Sequence, residues 1–501
     1  MSAPQLLRGG PPDGVLLGRL DAVCDAVGGR LLAGDGGIAV SGAAADTRAV
    51  RPGDLFCALR GARVDAHALL PEAFAAGAAA VLVDRPCGDA WDLADVPPGR
   101  GAILVPAVTP ALGRLASRHL RALHPGPTVV GVTGSVGKTT ARRLVAAALG
   151  DAGQVLVPEE SFNTDVSVPL ICLRAAPRHR FAVLELAMRG PGQIAHLARV
   201  TRPRVGVLTV IGESHLEALG SIAAIAEAKG ELLRALPPDG FAICNADDPR
   251  QRAMEAWSPA PVRTYGLHPD ADVSARDLRP RPSGGGWTFE VRLRGSGRAL
   301  SARISLLGRH HVQLALAALC CAEVLGVDLA GAAAGLEGVA PDPGRLALRP
   351  AGPLLLLDDT FNAAPQSVLA AIDTLCLVAP PGRRAAVLGD MLELGAASDA
   401  GHEAVGRSAG AAGLDWLVTV GPLAGGIARA ARDAGMAPER VRETRDASHA
   451  AAVLPPLLQA AADGTVVLFK ASHAVGLESL VAAAEAWSVR DAGGHGARRG
   501  R

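Results

Sequence analysis

Ten consecutive residues carry the sharpest chemical signal in this chain: Gly131-Val-Thr-Gly134-Ser135-Val136-Gly137-Lys138-Thr139-Thr140. Glycines let the backbone turn tightly, so that successive N–H groups face one anion. A helix that starts directly after them adds a partial positive charge at its N-terminus. Lys138 has the reach to meet terminal phosphates, and the Thr139 hydroxyl is a magnesium ligand of the type such loops use. The full phosphate-loop spacing would put glycine at 132, where this chain has Val132, so only the shorter Gly-x-x-Gly-Lys-Thr core is intact. A phosphate loop implies nucleotide binding and leaves the reaction open between kinase, GTPase and ligase.

The loop needs a strand before it and a helix after it. Thr128 to Val132 is a short apolar run that reads as a buried strand, and it follows the breaker His124-Pro-Gly-Pro127. Further apolar runs at Phe181 to Leu186, Val205 to Val210 and Gly240 to Cys244 alternate with helical stretches, as in a parallel sheet. This is the central block, residues 106–340, expected to be a parallel-sheet ATPase domain of the phosphate-loop type. Before it, residues 15–105 hold Asp54 to Leu59 and Ala80 to Val83 between Ala-rich stretches, a small α/β domain. After it, residues 341–487 hold runs at Leu354 to Leu357, Ala385 to Leu388, Trp416 to Val420 and Val466 to Phe469. That spacing predicts a Rossmann-like, doubly wound domain, so the whole chain reads as α/β in three domains. Residues 1–14 and 488–501 are Gly/Pro- or Gly/Arg-rich and are expected to be disordered tails.

The bulk properties narrow the function further. A chain of 501 residues fits two to four domains at about 100–200 residues each. Lys+Arg 50 against Asp+Glu 49 gives no electrostatic reason to expect nucleic acid or an anionic membrane as partner. With 3% aromatics there is little material for base-stacking platforms. No basic segment followed by an apolar run opens the chain, and Ala73 to Val83, the most apolar stretch, is far below the ~20 residues that span a bilayer. The expectation is a cytoplasmic protein without stable membrane insertion. Its eight cysteines contain no C-x-x-C pair and read as reduced core thiols, with Cys320 and Cys321 on a buried helix.

Beyond the loop, the chain resembles a known family. Gly134-Ser-Val-Gly-Lys-Thr-Thr140 looks like the ATP loop of the Mur ligases, which include folylpolyglutamate synthase. In the first block, Asp46-Thr47-Arg48, Pro52-Gly-Asp-Leu-Phe56-Cys-Ala-Leu59 and Asp65-Ala-His67 resemble the UDP-sugar-binding domain of the branch that adds D-alanyl-D-alanine. In the second, Ser161-Phe-Asn163-Thr-Asp165, Val183-Leu-Glu185-Leu-Ala-Met188, Gly212-Glu-Ser-His215-Leu-Glu217, Ala228-Lys229-Gly-Glu231 and Asn245-Ala-Asp247-Asp248-Pro249 resemble the substrate, metal and adenine-side segments. In the third, Gly344-Arg345, Asp358-Asp-Thr-Phe-Asn362-Ala-Ala-Pro365, Val387 to Gly395 and Lys470-Ala-Ser472-His473 are similar to motifs of that same branch. The resemblance covers about residues 40 to 482.

What the resemblance implies is an ATP-dependent ligase, expected as a monomer, that joins D-alanyl-D-alanine to UDP-N-acetylmuramoyl-tripeptide. ATP would phosphorylate the terminal carboxylate, and the amine of the dipeptide would displace phosphate from the acyl phosphate. Such chemistry asks for cations and positioning more than for a protein nucleophile. By the resemblance, Lys138 and Arg345 meet the phosphates, with Gly134, Ser135, Val136, Gly137 and Thr140 completing the loop. Thr139 and Glu185 hold one magnesium, and His215 with a carbamylated Lys229 holds a second. Asn245 meets adenine and Asp359 the ribose. Thr47, Arg48, Phe56, Asp65, His67, Asn163, Asn362 and Ser472 face the peptide or sugar-nucleotide substrates. Taken one at a time, plainer readings stand: strand-end carboxylates for Glu185 and Asp359, a surface histidine for His215, and a surface Lys229 paired with Glu231 or Glu227.

The chain departs from the family pattern at Thr164, Val210, His311, Leu314, Phe361 and His473, where Asn, Asn, Asn, Asn, Tyr and Arg are usual. Most of these changes remove a fixed amide or guanidinium, so the substrate side is eroded while the phosphate and metal set survives. Two alternatives follow. Another Mur-type ligase is one, although no Asp-Asn-Pro-Arg motif of the diaminopimelate-adding relative occurs in the third block. A nucleotide-binding paralogue with a regulatory or scaffold role is the other.

Overall fold

The structure is a computed structural model and describes residues 8–11, 16–61, 64–85, 92–150, 155–158, 162–214, 216–281 and 285–495. Short apolar runs bounded by glycine and polar residues become strands buried on both faces, and the Ala-rich stretches between them become the covering helices. Three main sheets result. The expected runs at Ala80–Val83 and Trp416–Val420 are strands with those bounds, every residue buried.

In the first sheet, Gly42–Ala44, Asp54–Cys57, Ala80–Val83 and Gly101–Leu104 run parallel. Arg30–Ala33 closes one edge antiparallel to Gly101–Leu104. The other edge is Arg8–Gly9, antiparallel to Gly42–Ala44. This corrects the expectation for the first tail at Arg8–Gly9. Arg8 is held by a two-pronged ion pair to the buried Asp54 at 2.7 and 2.9 Å, a contact 46 residues away along the chain that its Gly-rich neighbourhood does not announce. The second tail needs the same correction up to His495, because the last helix runs Glu478–His495.

The second sheet places Thr128–Thr133 between Phe181–Glu185 and Val205–Leu208, all parallel, with Phe241–Asn245 and Val262–Gly266 continuing outward. Val273–Pro280, Trp287–Leu293 and Ala299–Ile304 then extend it as an antiparallel ribbon. The third sheet orders Leu354–Asp358, Val466–Lys470, Arg384–Gly389, Trp416–Val420 and Val441–Thr444 in parallel, with Ala347–Ala351 antiparallel at one edge. Apolar clusters on both of its faces make it doubly wound, one around Ile372, Val405 and Ile427, the other around Leu454, Leu458 and Leu480.

One apolar cluster joins the first two units. It runs from Leu55 and Leu82 through Leu112 and Leu115, on the Val108–Ala122 helix, to Leu184 and Leu208. Cys320 and Cys321 are fully buried on the His310–Val324 helix. Among the described residues no helix is long and apolar enough to cross a membrane. The carboxyl ends of the parallel strands in the second and third sheets supply Glu185, Asn245, Asp359 and Lys470 to one cleft, the position where open parallel sheets bind ligands.

Candidate active site

The phosphate loop leaves the Thr128–Thr133 strand at Gly134 and enters the Lys138–Ala148 helix at Gly137. Both glycines are in the left-handed half of backbone space, at φ 151° and 83°. A Cβ on Gly134 would lie 1.9 Å from the Thr209 hydroxyl, so no larger residue fits. The loop is strapped to the segment after the neighbouring strand. Ser135 N–H donates to the Val210 carbonyl (2.7 Å), Ser135 Oγ bonds to Gly212 (3.0 Å), and Thr209 Oγ1 donates to the Val136 carbonyl (2.6 Å). Position 210, where the family has Asn, thus acts through its backbone. Lys138 Nζ folds back onto the loop, donating to the carbonyls of Gly134 (2.9 Å) and Ser135 (3.3 Å).

Beside the loop, Thr139 Oγ1 donates to Glu185 Oε2 at 2.9 Å, and Asn163 Nδ2 donates to Glu185 Oε1 at 2.8 Å. Glu185 is buried at the end of its strand. Arg345 crosses from the third unit and donates to Thr139 Oγ1 at 3.2 Å. Its guanidinium also stacks on the Phe361 ring, 3.7 Å from the centroid. Burial lowers the pKa of Lys138, Glu185 opposes that, and Arg345 adds to it. A buried carboxylate, a hydroxyl and an amide-anchored geometry make an oxygen donor pair of the kind magnesium takes when it shares its shell with phosphates.

Lys229 lies beneath the loop on the Ile222–Arg234 helix, 2% exposed, with Nζ donating to the Gly134 carbonyl at 3.0 Å. Burial first, and then the Lys138 charge, pulls its pKa well down. The plainer reading of a lysine paired with a neighbouring glutamate does not hold. Glu231 accepts from the backbone N–H groups of Gly192 and Ala195, and Glu227 pairs with Arg234 at 2.8 Å. His215, the expected co-ligand, lies outside the described residues.

On the far wall, Asp359 is pushed up by burial and pulled back by Lys470, whose Nζ is 2.6 Å from its carboxylate. Lys470 also donates to the Asn362 carbonyl at 2.8 Å. The strand-ending position of Lys470, after the apolar run Val466 to Phe469, was the signal available for it. Asn362 is exposed and lines the cleft, which encloses about 1100 Å³. Asn245 lines it as well, but its side-chain oxygen accepts from Asp247 N–H at 2.9 Å and so shapes its own loop. Ser472 is buried and accepts from Leu392 N–H at 2.9 Å; it does not line the cleft.

The first-block candidates form a separate group. Arg48 is exposed and paired with Asp46 at 2.6 Å, beside Thr47. Phe56 and His67 are fully buried, so neither side chain is presented for direct contact with a substrate. His67 is clamped instead, with Nδ1 2.7 Å from Asp65 and Nε2 accepting from Asp84 N–H at 3.4 Å. Burial works against ionisation of Asp65, yet the His67 N–H, the His67 ring and Arg85 together hold it well below the usual carboxylate range.

Comparison with known proteins agrees with this layout. Residues 132–322 match the Mur ligase middle domain, and residues 344–473 match the Mur ligase glutamate ligase domain. A UDP-N-acetylmuramoyl-tripeptide--D-alanyl-D-alanine ligase of Synechocystis is 35% identical over 449 residues, 89% of this chain and 92% of the relative. The crystal structure of MurF from Acinetobacter baumannii superposes with a TM-score of 0.82 at 28% identity, covering 93% of this chain and 98% of that one. MurF from Thermotoga maritima, solved in complex with ADP, superposes at 0.76 with 28% identity, covering 90% and 98%. The chain belongs to the Mur ligase family.

Proposed function

We propose that this chain is an ATP-dependent UDP-N-acetylmuramoyl-tripeptide--D-alanyl-D-alanine ligase, making the pentapeptide precursor of peptidoglycan in the cytoplasm as a monomer. The observation that carries the reading is the convergence of Lys138, Thr139 and Glu185 from the second sheet with Arg345 and Asp359 from the third on one cleft. The names of its relatives supply the substrates.

In this reading residues 15–105 bind the UDP end, residues 106–340 bind ATP, and residues 341–487 bring the incoming dipeptide. The loop N–H groups and Lys138 hold the β and γ phosphates, and Lys138 leaves the Gly134 and Ser135 carbonyls to do so. Arg345, already at Thr139, adds the second cation where charge gathers during transfer. The tripeptide carboxylate attacks the γ phosphorus and ADP leaves. The neutral amine of D-alanyl-D-alanine then adds to the acyl phosphate, loses its proton and expels phosphate. Asn163, fixed on Glu185, and Asn362 orient the peptide ends. Thr47, Arg48 and Asp65 remain the first-block groups that can meet the sugar nucleotide, with His67 holding Asp65 in place.

Thr139 and Glu185 would hold magnesium, which when bound neutralises phosphate charge. Lys229 has the environment a carbamate needs: the amine is buried, without an acidic partner among the described residues, and biased to the neutral form that reacts with carbon dioxide. His215 would share the second ion with it. The test is direct. Purified protein with ATP, magnesium, UDP-muramoyl-tripeptide and D-alanyl-D-alanine should yield the pentapeptide by mass. ATP consumption that ignores the dipeptide, with no pentapeptide, would favour the nucleotide-binding paralogue.

A further inference from the structure

We propose a second ligand site, outside the cleft, where the helices Leu20–Val27, Val108–Ala122 and Gln193–Thr201 bind a small molecule carrying two or more phosphate groups. The proposal does not depend on the reaction assigned to the cleft.

These three helices line a cavity of about 540 Å³ on the seam between the first two units. That volume lies within the roughly 300–1,000 Å³ of small-molecule sites. One face of the Val108–Ala122 helix contributes Gly113, Arg114, Ser117, Arg118 and Arg121. Spacings of three and four residues put these positions in a row, which rises about 10 Å from Arg114 to Arg121. Arg199 and His196 line the cavity from the Gln193–Thr201 helix, and Asp25 is the one carboxylate in the lining. Gly113 lets the two longer helices close on each other. A Cβ there would lie 3.0 Å from Val200 Cγ2 and 3.7 Å from His196 Nε2.

The arginines are fixed without being neutralised. Arg114 Nε donates to the Val27 carbonyl at 2.9 Å, and Arg118 donates to the Ala22 carbonyl. A carbonyl pins a guanidinium but leaves its charge whole, and each guanidinium has five N–H donors, so donors remain for a ligand. Arg121 and Arg199 are exposed, with no hydrogen bond or ion pair among the described residues. A purely structural role accounts for Arg114 and Arg118, which tie down the Leu20–Val27 helix, and leaves Arg121 and Arg199 unexplained. The chain nearly balances Lys+Arg 50 against Asp+Glu 49, so four arginines to one aspartate is a local excess. A concave wall of one sign concentrates its field and raises the local concentration of counter-ions.

The chemistry of the lining selects the ligand class. The planar guanidinium fork matches phosphate oxygens two at a time. A row of cations about 10 Å long calls for more than one phosphate. Apolar side chains are limited to Ala26, Pro110 and Val200, too few to hold a hydrophobic tail. Pro110 and His196 also line the cleft, so His196 stands between the two cavities.

The test is calorimetric titration of inorganic pyrophosphate into protein saturated with ADP, so that the phosphate loop is already filled. We expect one site, at least about tenfold tighter for pyrophosphate than for orthophosphate, and weakened about tenfold in Arg121→Gln and in Arg199→Gln. Both side chains are exposed and make no hydrogen bond among the described residues, so both variants should fold as wild type. Arg303→Gln, exposed on the Ala299–Ile304 strand, makes the same change in net charge and should leave the affinity as it is. In wild type the His196 ring resonances should move as the site fills, a readout that needs no variant. No saturable binding of pyrophosphate, or unchanged affinity in both arginine variants, would overturn the proposal. Binding lost in Lys138→Ala and kept in the arginine variants would put the anion on the phosphate loop and overturn it too. Retention by phosphatidylglycerol vesicles without pyrophosphate binding would replace the small molecule with a membrane surface.

Discussion

Replacing Lys229 by methionine separates a structural lysine from a functional one. The variant keeps an unbranched side chain of similar volume in a site that is 2% exposed, and such swaps cost under about 1.5 kcal/mol. The lost hydrogen bond adds little, because the Gly134 carbonyl still accepts from Lys138 Nζ at 2.9 Å. Removing a buried amine whose pKa is pulled down even helps folding. Between its lowered folded pKa and the ordinary lysine value of 10.5, the unfolded chain binds one more proton than the folded one, so this group makes wild-type stability rise with pH through that window. Lys229→Met lacks that slope. We therefore expect a thermal midpoint within a few degrees of wild type, with the difference narrowing as pH rises. Turnover should behave quite differently. If a carbamate on Lys229 holds a metal at the transferring phosphate, its loss should lower turnover about 10²–10³-fold with ATP still bound. In Lys229→Ala, which opens a cavity, acetate or formate should restore part of the activity. Steady-state turnover, calorimetric ATP binding and carbon NMR of the native protein with labelled bicarbonate read all three. Near-normal turnover in Lys229→Met, or no carbamate carbon signal at saturating bicarbonate, would refute the carbamate role.

Three further perturbations probe other parts of the site. Glu185→Gln keeps the size of the side chain that receives Thr139 and Asn163 but removes its charge, so activity should fall about 10²–10³-fold and the magnesium requirement should rise; an unchanged magnesium dependence would remove Glu185 from the metal set. Asp65 has a lowered folded pKa, so its contribution to stability is present above its unfolded value and is lost as pH falls through the folded one; Asp65→Asn should flatten the acid limb of the stability curve and weaken UDP-tripeptide binding, and an identical acid limb would contradict this. His473, exposed and 6.3 Å from the Phe361 ring, stands where the family has Arg, and His473→Arg should lower the Michaelis constant of one carboxylate-bearing substrate. If no substrate constant moves, position 473 does not bind substrate.

Local patterns were legible in the sequence and distant ones were not. The phosphate loop could be read because its geometry comes from neighbouring residues, Gly134 to Thr139. Its strap from Ser135 and Thr209 could not, because the partners are 73 to 77 residues apart along the chain. Several parallel strands, such as Ala80–Val83 and Trp416–Val420, announced themselves as unbroken apolar runs, while Val262–Gly266 and Val441–Thr444, each interrupted by an arginine, did not. The ribbon from Val273 to Ile304 did not, since arginines and glycines interrupt its alternation. The Arg8–Gly9 strand depends on Asp54 and has no local signal of its own. Motif matching found Phe56 and His67 but could not tell a side chain that touches a substrate from one that holds the wall behind it, because burial is a tertiary property. Asp359 was found while its partner Lys470 was left without a role, since the two come from different strands of the third sheet.

The central claim, that the cleft activates a carboxylate by phosphorylating it, is tested by following oxygen. UDP-muramoyl-tripeptide labelled with heavy oxygen in the terminal carboxylate is incubated with the enzyme, ATP, magnesium and D-alanyl-D-alanine, and the released phosphate is analysed by mass. An acyl phosphate requires that one carboxylate oxygen leaves with the phosphate each time an amide forms, so labelled phosphate should match pentapeptide mole for mole. Pentapeptide formed with unlabelled phosphate would contradict the account.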